Sequence, residues 1–221
     1  MKITNSYILF LKLKYSPPFI IKKIFNDFYW NTINNKILLT FDDGPNPGSS
    51  EKILEYLSKK NIKALFFCIG NNTRRYPELT EEILMNGHMI GNHTFNHKRI
   101  TSIGLKELDT EVGEFNSFSK DQFNYELKFF RPPYGRFNLS TGKQLKELQL
   151  KNVMWSLLTY DYKNDLNLIK LAVNKYLKNN SIIVLHDSIQ SEKVILDALE
   201  FISGEASRRG FEIGEPAGCL K

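Results

Sequence analysis

Two histidines three residues apart, His93 and His97 in "GNHTFNH", make up half of the four histidines in the chain. One helical turn, or a tight loop of similar shape, aims both imidazoles at a single point. Such a pair alone is weak ground for a metal, because it also arises by chance on solvated helix faces. A carboxylate from another strand end changes the balance. Two imidazoles and one carboxylate leave open positions for water and substrate, which is how a catalytic divalent cation is usually held. Adjacent aspartates, Asp42 and Asp43, stand in "LLTFDDGP", where a buried strand runs into a Gly-Pro turn. Neighbours on a strand point to opposite faces, so these two carboxylates can have different tasks.

Two further stretches carry reactive groups. In "FFRPPYG" (129–135) the prolines stiffen the backbone and remove donors, and Gly135 admits a tight turn. That is either a rigid corner and nothing more, or a loop that presents Arg131 as a cation and a backbone N–H near Tyr134 as an oxyanion donor. "IIVLHD" brings His186 out on the end of an apolar strand. There it is either a satisfied structural group or, opposite a metal, a general acid.

The elements that must position these groups follow from periodicity. Short β-rich runs at 36–41, 63–69, 88–92, 127–131, 152–157, 181–186 and 210–214 alternate with amphipathic segments. In the first of these, Ser49 and Ser50 read as helix caps, and Ile53, Leu54 and Leu57 share one face. Gly87 suits the C-cap of a later one. Strand, helix, strand at this regularity predicts an α/β fold with parallel strands and crossover helices, and seven units predict a barrel-like sheet. The polar residues picked out above then all fall at the C-terminal strand ends, where such folds place their chemistry.

Composition narrows the function. A chain of 221 residues with two cysteines, Cys68 and Cys219, has no CxxC pair and no disulfide framework. Cys68 lies in the apolar run "ALFFCIG" and reads as a buried small hydrophobe, whereas Cys219 sits near a tail where order is expected to be low. The net charge of +6 is spread over helices and loops without a basic block, which argues against nucleic acid as a partner. Residues 1–30 form an apolar and basic segment in which Lys12, Lys14 and Pro17-Pro18 break every apolar run. No stretch approaches the ~20 residues of a membrane span, and no signal-peptide pattern is clear. The segment is expected to lie on a membrane or cell wall or to pack on the domain formed by 31–221. The expected location is cytoplasmic or peripheral to a bacterial envelope, and the expected state is a monomer.

Taken in order, "TFDDGP", "GHMIGNHTFNH", "RPPYG", the Asp161 region and "IIVLHD" resemble the five motifs of the polysaccharide deacetylases, carbohydrate esterase family 4. The likeness runs from residue 36 to about 190 and is most similar to the short single-domain members common in Bacteroidetes. It implies a distorted (β/α)7-type barrel that removes N-acetyl groups from the amino sugars of a peptidoglycan or chitin-like glycan. It also implies one divalent metal ion, zinc foremost, with Co, Ni or Mn as alternatives. By the same resemblance Asp42 is the catalytic base, Arg131 its partner, and Asp43, His93 and His97 the metal ligands. His186 is the catalytic acid and Asp161 the carboxylate that orients it, with Asp165 as the fallback for Asp161. Pro132 and the Tyr134 backbone N–H belong to the oxyanion and substrate site, and Leu185 lines the pocket for the acetyl methyl. Tyr162 departs from the pattern, since the family commonly carries Trp there, and this bears on the substrate more than on the chemistry. Two rival readings are a metal-dependent hydrolase of a small non-glycan amide or cyclic ureide, and a non-catalytic glycan-binding relic. The second predicts a lost ligand or a lost acid, and none is lost.

Overall fold

The computed structural model describes residues 15–220; the part of the apolar, basic segment before residue 15 lies outside the described residues. Seven strands form one parallel sheet: β1 (Leu38–Asp42), β2 (Leu65–Cys68), β3 (Met89–Asn92), β4 (Phe129–Phe130), β5 (Lys151–Asn152), β6 (Leu157–Leu158) and β7 (Ile182–His186). Their spatial order is β5-β4-β3-β2-β1-β7-β6. The order alone forces the sheet to curl. Asn152 and Leu157 stand on opposite edges but are five residues apart in sequence, a reach of at most ~17 Å. Seven strands laid flat would separate those edges by roughly 29 Å. The result is a distorted, incompletely closed barrel, in keeping with the barrel-like sheet that the alternation predicts.

Membership of the seven strands differs from the sequence expectation at two places. The run 152–157 is not one strand; it ends β5 and begins β6, and crosses the seam between them. The run 210–214 contributes only an isolated bridge, Ile37 to Ile213, outside the sheet. Periodicity cannot distinguish a continuous strand from a seam crossing, because both are short and apolar.

Residues 15–31 fill that seam. Tyr29 bridges Val153, donating its N–H to Asn152 and accepting from Met154, and Asn31 bridges Ser181. Tyr15 accepts from the Leu158 N–H at 2.7 Å. Helix α1 (Phe19–Ile24) and the turn after it bury Ile21, Phe25, Phe28 and Trp30 against Met154 and Trp155. The described part of the N-terminal segment is therefore part of the barrel wall. No helix among the described residues is long and apolar enough to cross a membrane.

The remaining helices are α2 (Pro47–Lys59), α3 (Gly70–Arg75), α4 (Pro77–Met85), α5 (Leu105–Phe123), α6 (Leu139–Glu147), α7 (Leu166–Tyr176), α8 (Ile195–Arg208) and α9 (Pro216–Cys219). Segment 117–123 is the end of α5, whose Leu108, Val112 and Phe115 recur on one buried face. Strand alternation divides the interior. Leu39, Phe41, Phe66, Ile90, Ile183 and Leu185 face the helices. Leu38, Leu65, Phe67, Phe129, Val153 and Ile182 face inward and fill the barrel floor. Cys219 and Leu220 join that floor, so the tail cysteine is fully buried rather than disordered. Above the floor the inward positions become polar: Thr40 and Asp42 on β1, Arg131 after β4, and His186 on β7.

Candidate active site

The C-terminal strand ends surround a cleft of about 850 Å³. Within it, donor atoms of Asp43, His93 and His97 all lie within 4.8 Å of one another. Asp43 Oδ1 is 3.5 Å from His93 Nε2 and 3.2 Å from His97 Nε2. His93 follows β3 directly, and its Nδ1 sits 2.7 Å from the Arg131 carbonyl oxygen, which fixes the ring with Nε2 toward Asp43. His97 lies in a tight loop, not a helix. Thr94 and Phe95 of that loop accept N–H bonds from Gly70 and Asn71 at the start of α3, and Asn96 is held by Glu111 of α5. Burial would raise the Asp43 carboxyl, but the two imidazoles hold it well below the ordinary carboxylate range.

Alternation alone would turn Asp43 away from the side where Asp42 points. Asp43 instead adopts φ 77°, which brings it back into the cleft beside Asp42. His97 (φ 56°), Tyr134 (φ 61°) and Tyr160 (φ 62°) are also left-handed and also line the cleft. Strained backbone of this kind persists where the surroundings over-determine it.

Asp42 has a different environment. Arg131 Nη1 donates to Asp42 Oδ1 at 2.6 Å and to Thr40 Oγ1 at 2.7 Å, while Nε and Nη2 donate to the carbonyls of Val153 and Met154, each at 2.8 Å. The guanidinium is fully buried over the Phe67 ring. Burial lowers its pKa and the Asp42 carboxylate works against that. The two seam carbonyls thus use the donors of a cation that would otherwise be unsatisfied.

On β7, His186 Nδ1 is 2.8 Å from Asp161 Oδ1, and the His186 backbone N–H donates to Asp161 Oδ2 at 2.6 Å. Thr159 Oγ1 donates to the same carboxylate at 2.9 Å. Burial opposes the imidazolium, yet Asp161 raises the His186 pKa to about 9. The fallback, Asp165, caps α7 by accepting from Asn167 N–H and lies outside the cleft. Tyr162 packs edge-on against His186, ring centres 4.9 Å apart, and burial pushes its phenol up to about 12.

Tyr134 is exposed at the cleft edge, and its ring lies 4.6 Å from that of His97. Pro132 is buried behind it and accepts the Gly135 N–H at 3.0 Å. Gly135 (φ 61°) packs against the Trp155 ring so closely that a Cβ would overlap it. Leu185 does not line the cleft: it faces the helices in the principal core, and Val184 takes the lining position with Leu158 and Trp155. In "IIVLHD" the register is ambiguous by one residue, and only residues an even number of positions from His186 share its face.

Asp187 is a further carboxylate at the site. Ser49 donates to its Oδ1 at 2.5 Å and Ser50 to its Oδ2, its N–H donates to the Asp42 carbonyl, and Gly44 has no room for a Cβ against it. Burial pushes its carboxyl up to about 7. The serines expected to cap α2 therefore anchor the β1–α2 turn that carries Asp43, and Asn46 is the N-cap residue.

Comparison with known proteins agrees with this geometry. The family model "Polysaccharide deacetylase" matches residues 31–153. A peptidoglycan-N-acetylglucosamine deacetylase of Bacillus cereus is 33% identical over 187 residues, covering 82% of this chain and 87% of the relative. A second protein of that name from the same organism is 35% identical over 128 residues, but the match spans only 58% of this chain and 46% of the relative's length. The crystal structure of the Bc1960 peptidoglycan N-acetylglucosamine deacetylase, bound to 4-naphthalen-1-yl-N-oxidanyl-benzamide, superposes with a TM-score of 0.84 at 27% identity, covering 91% of this chain and 96% of that one. With its barrel, its ordered motifs and these matches, the chain belongs to the polysaccharide deacetylase family.

Proposed function

We propose that the chain hydrolyses N-acetyl groups on the amino sugars of a polysaccharide or oligosaccharide, with peptidoglycan as the substrate class. The observation that carries this is the meeting, in one cleft, of the Asp43–His93–His97 cluster with the Asp42–Arg131 and Asp161–His186 pairs. Asp43, His93 and His97 would hold one divalent cation, and zinc is proposed because two imidazoles and a carboxylate with open positions suit it. When bound, that cation supplies Lewis acidity, polarising a carbonyl and lowering the pKa of water toward ~7.

The chain's own residues do the rest. Asp42 takes the proton of the water that attacks the acetyl carbon, and Arg131 holds its carboxylate in place through the Nη1–Oδ1 bond. The Tyr134 backbone N–H donates to the oxygen on which charge develops. His186 holds a proton through Asp161 and delivers it to the departing nitrogen as the C–N bond breaks. The products are acetate and a free amine. Val184, Leu158 and Trp155 form an apolar wall that fits the acetyl methyl.

Acetate release from N-acetylated chitooligosaccharides and peptidoglycan fragments tests this reading, before chelation, after it, and after zinc is restored. Release that disappears on chelation, returns with zinc, and is lost in Asp42→Asn is expected. No release from any of these substrates, or wild-type rates in Asp42→Asn, would overturn it.

A further inference from the structure

Three cations at the cleft lie over three of its aromatic rings. The Arg75 guanidinium is 5.3 Å from the Tyr76 ring centre, that of Arg99 is 5.4 Å from Tyr134, and Lys163 Nζ is 5.6 Å from Tyr162. All six residues line the cleft, and all three cations are exposed. Their sequence neighbours show what is unusual about them. Arg74 is neutralised by Glu114, and Lys98 by Glu107 and Glu111. Arg75 and Arg99, one position along on the same segments, have no ion-pair partner among the described residues, and neither has Lys163. The acids that line the cleft are already engaged: Asp42 by Arg131, Asp43 by His93 and His97, and Asp187 by Ser49 and Ser50.

A neutral N-acetyl sugar offers nothing for three unpaired cations to pair with. An aromatic face backed by a cation does suit a sugar that carries a carboxylate: the ring stacks on the sugar's C–H face while the cation pairs with the acid. We propose that Arg75, Arg99 and Lys163 form an anion subsite that selects N-acetylated glycans bearing carboxylates, whether on a lactyl ether or on a uronic sugar. The proposal rests on the deacetylase reading for its substrate class, but its test reads binding and not turnover.

The probes are an N-acetylated disaccharide with a lactyl carboxylate, one with a uronic carboxylate, and each again with the carboxylate reduced to an alcohol. Calorimetric titration into the zinc-loaded protein at 0.1 M salt is expected to show about tenfold tighter binding of at least one acid over its reduced form, the sum expected of several exposed ion pairs. The acid showing the larger preference identifies the carboxylate source. The preference should vanish at 1 M salt, where the Debye length falls to ~3 Å. It should also vanish in the R75Q/R99Q/K163Q protein, with its fold checked by thermal unfolding. Equal binding of acid and reduced forms by the wild type, or a preference that survives in the folded triple variant, would overturn the proposal. Acetate release from the reduced disaccharides is followed in parallel. Its absence with charge selectivity intact would count against the deacetylase reading alone, and its presence without selectivity against the anion subsite alone.

Discussion

Asp42–Arg131 and Asp161–His186 share one cleft, and each sets a carboxylate against a cation, but their burial is inverted. In the first pair the cation's side chain is 0% exposed and the carboxylate's 8%; in the second the carboxylate's is 0% and the cation's 14%. Each pair thus turns one partner toward the cleft and keeps the other behind it as support. In the proposed mechanism, a permanently charged guanidinium holds the carboxylate that accepts a proton, and a buried carboxylate supports the imidazole that donates one. Two groups with opposite proton tasks can then operate at the same pH.

Removing a supporting partner should damage folding, and removing a working partner should damage chemistry. The largest effect is expected for Arg131→Met, which leaves Asp42 buried without its cation and the Val153 and Met154 carbonyls without their donors. Unfolding in denaturant should show a loss of about 3–5 kcal/mol, with activity abolished. His186→Ala should lower kcat by roughly 10²–10⁴. Asp161 keeps the Thr159 hydroxyl and the His186 backbone N–H in that variant, so the unfolding midpoint should move far less than in the Arg131 variant. Equal stability losses in the two would erase the distinction between working and supporting partner.

The third carboxylate, Asp187, extends the comparison to a group that supports a turn and not a charge. Gly44→Ala would drive a Cβ into it, at a cost of about 1–3 kcal/mol. Because that turn carries Asp43, a zinc titration should also show weakened binding. The smallest effect belongs to Thr40→Val, which removes one of the acceptors of the Arg131 guanidinium. A loss of about 1–2 kcal/mol is expected from thermal unfolding, with no change in pH dependence, since Thr40 touches the supporting cation and not the titrating one.

Much of this site was legible as residue types at strand ends. His93, His97, the Asp42–Asp43 pair, Arg131 and His186 stand where an α/β barrel gathers its chemistry, and the order of the motifs selected Asp161 over Asp165. What could not be read depends on contacts between residues far apart in the chain. "NVMWSL" looks like one strand, and only the sheet order reveals that it crosses a seam closed by residues 15–31. In "IIVLHD" Val184 and Leu185 are equally apolar, and only their spacing from His186 separates Val184, which lines the cleft, from Leu185, which faces the helices. Ser49 and Ser50 carry a capping signature, but their hydroxyls go to Asp187, 138 and 137 residues away. Nor did the sequence signal that Asp43 would rejoin Asp42 through a left-handed backbone.

The inverted pairs are tested most directly by the pH dependence of kcat in wild type and Asp161→Asn. His186 has its pKa raised from 6.5 to about 9 in the folded protein. Its pairing therefore contributes fully to stability below pH 6.5 and is lost as pH rises through about 9. An activity that needs the protonated imidazole declines over the same range. Without the Asp161 charge, burial is opposed only by the smaller raising effects of Asp43 and Asp42, and the alkaline limb should move from near 9 toward the ordinary histidine value of 6.5. A limb that stays near 9 in Asp161→Asn would contradict the assignment of His186 as an acid held in its protonated form by the carboxylate behind it.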